Sequence, residues 1–546
     1  MKASDLFVKT LENQGVQYIF GLPGEENLDL LESIRKSSIK FIVTRHEQAA
    51  GFMAATYGRL TGTAGVCLST LGPGATNLMT AVAFAQLGGM PLVIITGQKP
   101  VIASKQAAFQ IIDVVDMMRP ITKMAKTLIN AAEIPYDINE AFRCAEREKP
   151  GAVHLELPED IARQDVLKTM MVENRHQIRP ISPTEAIEKA AEVIRDAKHP
   201  LIMVGAGANR QKVRVALLRL VDQLKVPFFC TQMGKGVIDE RHSLYLGTAA
   251  LSENDYVHCA IDHADLVINV GHDIVEKPPF FMKPGGKKVI HINYTPAIFD
   301  ELYFPQYEIV GDIAVSLSGL AEIIGAVSVC DLTYYQPLKQ KMDQHITSRS
   351  DEEQFPLLPQ FIIKQVRRAL PDDGVVSLDN GMYKIWFARN YPCYEPNTIL
   401  LDNALATMGA GLASAMAAKL VFPNRKVVAV CGDGGFMMNS QELETAIRMK
   451  IDIVVIVLVD DALGMIRWKQ QEMGFPEYAL SYNNPDFQKY AQSYGVQGIR
   501  ITEAHEFYPV LQKCLDSSGV FLIEVPIDYR ENHRVFNEEL SRLECK

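Results

Sequence analysis

Short runs of β-branched and apolar residues recur along the chain, and segments with helical periodicity separate them. The runs are FIVT, GVCLST and PLVIITG, then LIMVGAG, LVINVG and KVIHIN, and finally GVVSLD, RKVVAVCGDGG and DIVVIVLVD. Strands that are apolar throughout are typical of parallel sheets covered by helices on both faces. The pattern therefore predicts an α/β fold with three doubly wound parallel-sheet domains.

Two polar segments divide the 546 residues into these domains. Residues 176–186 carry two prolines, and residues 331–355 are rich in charge. They predict domains at 1–178, 182–330 and 355–546. The first and third domains are both rich in strand–helix units with a glycine-rich turn, which indicates a related architecture.

Composition excludes several classes of protein. The 55 Lys and Arg residues are outnumbered by 65 Asp and Glu residues, so the net charge of −10 argues against a nucleic-acid partner. The nine cysteines are scattered and never form a C-x-x-C pair. We therefore expect neither a disulfide framework nor a cysteine zinc site, and a cytoplasmic location.

No segment predicts a membrane partner. The N-terminal sequence MKASDLFVKTLENQG alternates charges at helical spacing and indicates a first helix rather than a secretory signal. The chain carries no charge between Arg59 and Lys99, but glycines and prolines interrupt this stretch. A buried α/β core explains it better than a membrane span.

The strongest local motif is a glycine-rich turn between a strand and a helix, Gly432-Asp433-Gly434-Gly435. Glycines at such a turn let backbone N–H groups approach a phosphate, and the helix N-terminus favours negative charge. Asp433 suits a hard divalent cation that bridges two phosphates. An Asx turn without a ligand is the alternative for this motif taken alone.

A second acidic residue follows the next strand, Ile453–Val459, at Asp460. Ligands of open α/β sheets collect at the carboxyl ends of the strands. The spacing of Asp433 and Asp460 matches one strand–helix–strand unit, so we expect both carboxylates beside one Mg²⁺. Each Asp alone is more often a solvated loop residue; the pair, with the glycines, favours a metal and a diphosphate.

The first domain has two similar features. Its strand FIVT ends at Arg45-His46-Glu47, before an Ala-rich helix, and Gly72-Pro73-Gly74 opens another strand-to-helix turn. Glu47 in a helix's first turn is also ordinary capping chemistry. Neither motif alone identifies a reaction.

Together, the motifs resemble one enzyme family. RHEQAAGFMAATYGRLTG, STLGPGATN, AFQIIDVVDMMRPITK, GAVHLELPEDI and GDGG followed by VDDALGM occur in order over nearly the whole chain. They resemble the thiamine diphosphate enzymes of the acetolactate synthase group. The resemblance implies a pyrimidine-binding, a central and a diphosphate-binding domain, and a homodimer or tetramer with active sites between subunits.

The resemblance also implies site residues. Glu47 bonds the aminopyrimidine ring as an acid–base relay, and Asp433, Asp460 and the Ala462 carbonyl bind Mg²⁺. Gln110 lies on the substrate side and counts with Glu47 as catalytic. The implied cofactor contacts are Pro73, Asn77, Gly381, Ala406, Met408, Gly434, Gly435 and Met465. Glu25, Ile466 and Lys469 are the implied substrate contacts.

Several departures refine the resemblance. Asp460 replaces an Asn found in many members, which looks more like the catabolic, FAD-free acetolactate synthases. The central domain has 271–277 where FAD-containing synthases carry G-A-R-F-D-D-R, and its Gly205-Ala206-Gly207 turn is weak evidence for a dinucleotide. We therefore expect no FAD.

The substrate side also departs from the pattern. Lys469 stands where the biosynthetic synthases have Trp, with Trp468 beside it, and Glu25 stands where relatives carry small or apolar residues. Lys469 and Glu25 could both be solvated, and a one-residue shift would bring Trp468 to the substrate. Pyruvate remains the leading substrate, and 2-acetolactate the leading product.

Three other functions stay open on the sequence. A non-oxidative 2-keto-acid decarboxylase or aldehyde carboligase would share Glu47, Asp433 and Asp460. A catalytically silent binding subunit would have no reason to keep these residues. A nicotinamide dehydrogenase would have to use GAGAN, starting at Gly205.

Overall fold

The structure is a computed structural model that describes residues 1–101, 108–166, 179–276, 282, 285–326 and 330–545, without the side chain of Gln211. The strands are β1 (Tyr18–Gly21), β2 (Lys40–Val43), β3 (Gly65–Ser69), β4 (Leu92–Gln98), β5 (Met124–Thr127), β6 (Ala152–Pro158), β7 (Pro200–Val204), β8 (Phe228–Thr231), β9 (Tyr245–Ala249), β10 (Leu266–Val270), β11 (Lys288–Asn293), β12 (Tyr307–Val310), β13 (Val375–Leu378), β14 (Ile399–Leu400), β15 (Val427–Gly432), β16 (Ile453–Val459), β17 (Gln497–Arg500) and β18 (Val520–Pro526).

Helices connect most of these strands. They are α1 (Ala3–Asn13), α2 (Leu28–Arg35), α3 (Glu47–Thr61), α4 (Pro73–Asn77), α5 (Met79–Gly88), α6 (Val114–Met118), α7 (Ile134–Glu146), α8 (Glu159–Ala162), α9 (Thr184–Asp196), α10 (Gln211–Leu224), α11 (Tyr256–His263), α12 (Ile313–Ile324), α13 (Tyr335–Thr347), α14 (Pro359–Ala369), α15 (Met382–Asn390), α16 (Gly411–Val421), α17 (Asp433–Asn439), α18 (Glu442–Arg448), α19 (Gly464–Glu472), α20 (Phe487–Ser493) and α21 (Phe507–Asp516).

The strands form three six-stranded sheets in which all pairs are parallel. The predicted α/β fold with three parallel-sheet domains is confirmed. The physical reason is visible in β4, β6 and β7, in which every residue is buried. A strand buried on both faces has no solvent-facing side, so its sequence is mostly apolar and does not alternate with polar residues.

Two of the sheets share one strand order. The first sheet runs β2-β1-β3-β4-β6-β5, and the third runs β14-β13-β15-β16-β18-β17, which is the same order counted from each sheet's first strand. The middle sheet runs β12-β11-β10-β7-β8-β9. Counted from β7 this is the 3-2-1-4-5-6 order of dinucleotide-binding folds, read from its other edge.

By internal contacts the chain divides into two compact units. Unit 1 comprises 1–178, 404–424 and 437–451, and unit 2 comprises 179–403, 425–436 and 452–546. Unit 1 holds the first sheet, together with α16 and α18. The domain boundaries given above remain predictions.

The cysteines correct one expectation. We expected no disulfide framework, but Cys259 in α11 is bonded to Cys545, 286 residues away in sequence. Both residues belong to unit 2. Spacing along the chain could not reveal this pair, because only the fold brings its two cysteines together.

No helix within the described ranges combines the length and the apolar character that crossing a membrane requires.

Candidate active site

The predicted site residues are divided between the two units, and each group is described separately. Unit 1 holds Glu25, Glu47, Pro73, Asn77, Gln110, Ala406 and Met408. Unit 2 holds Gly381, Asp433, Gly434, Gly435, Asp460, Ala462, Met465, Ile466 and Lys469.

Glu47 is the first residue of α3, and residues 44–46 separate it from the carboxyl end of β2. Only 9% of Glu47 is exposed. His46 caps the helix, since its Nδ1 accepts the N–H of Gln48 at 3.0 Å. The Glu47 Oε2 accepts a hydrogen bond from Asn77 Nδ2 at 2.9 Å. A Cβ at Gly74 would lie 3.3 Å from Glu47 Oε1, so glycine keeps the space beside this oxygen clear.

Glu442 fixes the turn that carries Glu47, and sequence reasoning missed it. Its Oε1 accepts the N–H groups of Arg45 at 2.9 Å and His46 at 3.1 Å, and Thr445 donates to its Oε2 at 2.6 Å. Burial raises the pKa of Glu442. The available signal, an acidic residue in the first turn of α18, looks like ordinary helix capping.

Asn439 links the start of α3 to the loop that carries Ala406 and Met408. Its Nδ2 donates to Gln48 Oε1 and to the Gly409 carbonyl, both at 2.9 Å. Ala406 has a φ of 55°, a left-handed conformation that an alanine adopts at a cost. Unit 1 therefore brings the Ala406–Met408 loop beside the first turn of α3.

Glu25 lies next to a buried ion pair. The following residue, Glu26, accepts hydrogen bonds from Lys99 Nζ at 2.6 Å and Thr70 Oγ1 at 2.5 Å. A Cβ at Gly24 would come within 2.3 Å of Thr70, and a Cβ at Gly74 within 2.9 Å of it. Thr70 thus packs between the turn of Glu25 and the turn of Gly74, and Glu25 itself is exposed.

Gln110 lies against the glycine turn at Gly72–Gly74, which follows β3. It is exposed, with a φ of 58°, and its carbonyl oxygen would lie 2.7 Å from a Cβ at Gly72. Gly72 has a φ of 49°, and Pro73 follows it as the first residue of α4. The turn at Gly72 therefore needs glycine for both its conformation and this close approach.

In unit 2, Asp433 begins α17 where β15 ends, and it is 1% exposed. Its Oδ1 accepts the N–H of Gly434 and the hydroxyl of Tyr482, each at 2.8 Å. Its Oδ2 accepts the N–H of Asp461 and the amide of Asn484, each also at 2.8 Å. The carboxylate is thus held in a fixed orientation from both sides.

Asp460 follows β16, the strand next to β15, and has a different environment. Its Oδ2 is buried and accepts no hydrogen bond from the described residues; the closest cationic group recorded is Arg467 Nη1, at 3.5 Å. Burial and the nearby Asp433 carboxylate raise the pKa of Asp460 to about 7. Two carboxylates crowded in this way repel each other, and a bound cation would relieve that repulsion.

The oxygen atoms available match a hard cation. Besides the two carboxylates, the Ala462 carbonyl faces the site and accepts the Tyr482 hydroxyl at 3.2 Å. Oxygen ligands of this kind suit Mg²⁺, which keeps several waters or phosphate oxygens as its other ligands. Among the residues that the structure describes, no cluster of three His, Cys, Asp or Glu side chains forms a metal site.

Tyr482 and Asn484 were not predicted, although both contact Asp433. They lie in the segment YNNPDF, which precedes α20. Asn484 Nδ2 also donates to Asp461 Oδ1 at 2.7 Å. The sequence offered only a turn-forming cluster there, which gives no indication that it folds over the end of β15.

The glycines near Asp433 are required by packing. A Cβ at Gly435 would lie 2.4 Å from Asp379 Oδ2, and a Cβ at Gly381 would lie 2.5 Å from the Tyr383 ring. Gly381 precedes α15, and Gly434 follows Asp433. Gly381 and Gly435 therefore leave room for the Tyr383 and Asp379 side chains at the N-termini of α15 and α17.

The helix α19 presents different faces. Met465 is half-buried, while Ile466 is exposed. The Lys469 ammonium lies 2.5 Å from Glu472 Oε2 and 4.2 Å from the centre of the Trp468 ring. Trp468 is buried, and its Nε1 donates to Asn537 Oδ1 at 2.7 Å.

A groove of about 1,320 Å³ runs past this helix. Asp460, Gly464, Arg467, Trp468 and Tyr529 are among its lining residues, and Lys469 is not. The groove connects the Asp460 carboxylate with Trp468 on the buried face of α19.

Family models match all three parts of the chain. Residues 1–117 match the N-terminal TPP binding domain of the thiamine pyrophosphate enzymes, 187–320 their central domain, and 379–525 their C-terminal TPP binding domain. Each matched segment includes strands of a different sheet.

Relatives extend the match over nearly the full length. An acetolactate synthase of Bacillus subtilis (strain 168) is 31% identical, over 99% of this chain and 96% of its own. A catabolic acetolactate synthase of Raoultella terrigena is 33% identical, over 97% and 95%. The large subunit of acetolactate synthase isozyme 2 of Escherichia coli (strain K12) is 32% identical, over 97% and 96%. At this identity and coverage, the chain belongs to the acetolactate synthase family of thiamine diphosphate enzymes.

Proposed function

We propose that this protein is an acetolactate synthase that binds thiamine diphosphate and Mg²⁺, decarboxylates pyruvate and joins the remaining two-carbon unit to a second pyruvate, giving 2-acetolactate. The observation that carries the proposal is the buried Oδ2 of Asp460 beside the Asp433 carboxylate, at the ends of adjacent parallel strands. This oxygen accepts no hydrogen bond from the described residues and has only Arg467 Nη1 at 3.5 Å, so a metal ion would relieve the repulsion between the two carboxylates. The acetolactate synthases named above support the choice of substrate.

Thiamine diphosphate, when bound, supplies an electron sink for the decarboxylation of a 2-keto acid. Asp433, Asp460 and the Ala462 carbonyl would hold the metal, and Gly381, Gly434 and Gly435 would accommodate the diphosphate. Met408, Met465 and the Ala406 carbonyl would contact the organic part of the cofactor.

Glu47 is the proposed proton carrier. Its carboxylate is oriented by Asn77 at Oε2, while Oε1 lies beside the open space over Gly74. A carboxyl group held in this way can transfer a proton at Oε1 to a ring nitrogen. Pro73 and Gln110 would flank the same space, with Glu25 on its far side as a proposed substrate contact.

Purified protein incubated with thiamine diphosphate, Mg²⁺ and pyruvate is expected to form 2-acetolactate, identified by mass and by acid-catalysed conversion to acetoin. Acetaldehyde as the main product would instead identify a decarboxylase. A panel of other 2-keto acids and aldehydes tests the carboligase alternative in the same assay.

We also propose a homodimer with two composite active sites. Exposed large apolar side chains support it, because a subunit interface would remove them from water. In unit 1 they are Leu28, Val101, Phe109 and Ile111. In unit 2 they are Ile466, Met473, Phe475 and Tyr478.

Mixing two inactive variants tests this assembly. Glu47→Gln and Asp433→Asn chains, dissociated and reassembled together, should regain about a quarter of the wild-type activity, because half of the dimers are mixed and each has one intact site. Each variant reassembled alone is the control. No recovery, with mixed dimers present by mass, would place both residues of a site in one chain.

The FAD-free, catabolic subclass is proposed on Asp460 and on the sequence of residues 271–277, and a cytoplasmic location is proposed on the scattered cysteines. Mass analysis of heat-released cofactors and cell fractionation test them. The Cys259–Cys545 pair adds a further measurement, because its oxidation in cells can be read by thiol alkylation.

A further inference from the structure

The middle sheet has the strand order of dinucleotide-binding folds, in which a ligand lies where the order reverses. In this sheet that point lies between β7 and β10, which are hydrogen-bonded neighbours. The turn after β7 is Gly205-Ala206-Gly207-Ala208, the usual position of a diphosphate contact. An FAD or a nicotinamide dinucleotide would therefore have to bind at this turn.

The N–H groups of this turn all have acceptors within the protein. Those of Gly205, Gly207 and Ala208 donate to the carbonyls of Val270, Gly271 and Gly205, at 2.9, 2.8 and 3.1 Å. The remaining N–H, of Ala206, donates to Glu276 Oε1 at 2.9 Å. A phosphate would find no donor in this turn without displacing one of these acceptors.

Glu276 provides the one acidic acceptor. It is 1% exposed, and it also accepts a hydrogen bond from the Thr231 hydroxyl at the end of β8. Its carboxyl group thus bridges the ends of two adjacent strands, β7 and β8. An anion at this position of a nucleotide-binding fold is normally the ligand's phosphate.

The loop after β10 fills the rest of the space. A Cβ at Gly205 would lie 2.6 Å from the Cα of His272, and a Cβ at Gly207 would lie 3.1 Å from the Cα of Gly271. The Asn293 amide holds this loop through the His272 carbonyl at 2.9 Å. The small size of both glycines therefore accommodates the protein's own backbone.

We propose that the nucleotide-binding crevice of the central domain is closed from within, because Glu276 occupies the position of a ligand's diphosphate, so that this domain binds neither FAD nor a nicotinamide dinucleotide. The proposal is independent of the reaction at Asp433 and Asp460. It assigns the glycine turn a structural role.

Hydrogen exchange on the wild-type protein tests it directly. Peptides covering 200–210 should be protected, and their exchange should not change when FAD, NADH or inorganic pyrophosphate is added. Equilibrium dialysis with FAD and NADH should show no saturable uptake. The proposal would be overturned if any of the three ligands slowed hydrogen exchange in these peptides. Stoichiometric uptake of FAD or NADH in dialysis, together with slower exchange at 200–210, would have the same meaning.

Two variants of Glu276 test whether its side chain, rather than the fold as a whole, keeps a phosphate out of the crevice. Glu276→Gln keeps an oxygen for the Ala206 N–H and should bind pyrophosphate no better than the wild type does. Glu276→Gly removes the group and should bind pyrophosphate at least about tenfold more tightly than Glu276→Gln, with slower exchange at 200–210. Equal affinities in two folded variants would mean that Glu276 does not close the crevice. If Glu276→Gly does not fold, the wild-type exchange decides the question alone.

Discussion

Two glycine-rich turns follow buried strands, Gly205–Ala208 after β7 and Gly432–Gly435 after β15. They differ in the hydrogen-bond partners of their polar groups. At Gly432–Gly435 the acidic residue belongs to the turn itself, and the adjacent strand adds Asp460 with an oxygen that accepts no hydrogen bond from the described residues. At Gly205–Ala208 the acidic residue, Glu276, comes from another loop and satisfies the last free N–H.

The difference shows that a glycine turn on a strand is not by itself a ligand site. Both turns have close approaches at their glycines, to the Asp379 side chain at Gly435 and to the backbone of His272 at Gly205. The turn after β15 leaves two buried carboxyl groups that repel each other, and so favours a cation. The turn after β7 has its donors and acceptors matched, and so has no need of a ligand.

Replacing Asp433 should have the largest effect on turnover, because it removes the acidic residue that distinguishes the turn after β15 from the turn after β7. Asp433→Asn is expected to lower turnover by about three orders of magnitude or more, because loss of a metal ligand removes several kcal/mol of stabilisation. Calorimetry should show weaker binding of thiamine diphosphate with Mg²⁺. Asp461→Asn is the control, since the exposed Asp461 contacts Asp433 only through its backbone N–H. Equal losses in both variants would contradict the assignment of Asp433.

Glu47→Gln should have the next largest effect. Turnover is expected to fall by about two orders of magnitude, the usual scale of a lost acid–base step, with cofactor affinity nearly unchanged. Single-turnover kinetics and cofactor titration separate the two quantities. Glu32→Gln, at an exposed carboxylate that pairs with Arg35 and Lys36, provides the matched control. A nearly active Glu47→Gln would exclude the proton-transfer role.

The pH dependence of stability sharpens the comparison at the turn after β7. Burial raises the pKa of Glu276 to about 7 from its usual 4.5. A raised folded-state pKa stabilises the protein fully below the unfolded pKa, and this contribution is lost as pH rises through 7. Wild-type protein should therefore lose roughly 3 kcal/mol between about pH 4.5 and pH 8 from this group.

Urea unfolding at a series of pH values measures that loss. Glu276→Gln, which cannot ionise, should lack this component, so the difference between the two unfolding free energies should grow with pH. Parallel curves for the two proteins would show that the carboxyl group is not buried as described.

The smallest effects are expected at α19. Trp468 lines the groove that reaches Asp460, so Trp468→Leu should change the preference between pyruvate and 2-ketobutyrate as acceptor by ~1–3 kcal/mol. Lys469 pairs with Glu472 on the exposed side, so Lys469→Gln should change stability by less than about 1 kcal/mol and acceptor kinetics little. A raised pyruvate requirement in Lys469→Gln alone would restore the lysine as the substrate contact.

Features encoded in short segments were predicted well. β16 spans the predicted Ile453–Val459, and Asp433 and Asp460 follow strands as expected. Apolar runs and glycine turns depend on neighbouring residues, so their patterns can be recognised locally. The roles of the site residues are carried by the family resemblance rather than by these patterns, and they remain predictions.

Contacts between distant segments could not be predicted. Glu442 reaches Arg45 across almost 400 positions of sequence, Tyr482 contacts Asp433, and Cys259 bonds to Cys545. The sequence around Glu442 resembles a helix start, and the sequence around Tyr482 resembles a turn. These segments meet only in the folded protein, so their local sequences do not reveal the contacts.

The shared strand order of the first and third sheets has an evolutionary consequence. In each sheet the third strand along the chain, β3 or β15, leads into a glycine turn and then a helix, at Gly72–Gly74 and at Gly432–Gly435. Duplication of one ancestral gene segment would leave this pattern. At this shared topological position the two turns differ in chemistry: the first carries Pro73 and no charged residue, while the other carries Asp433.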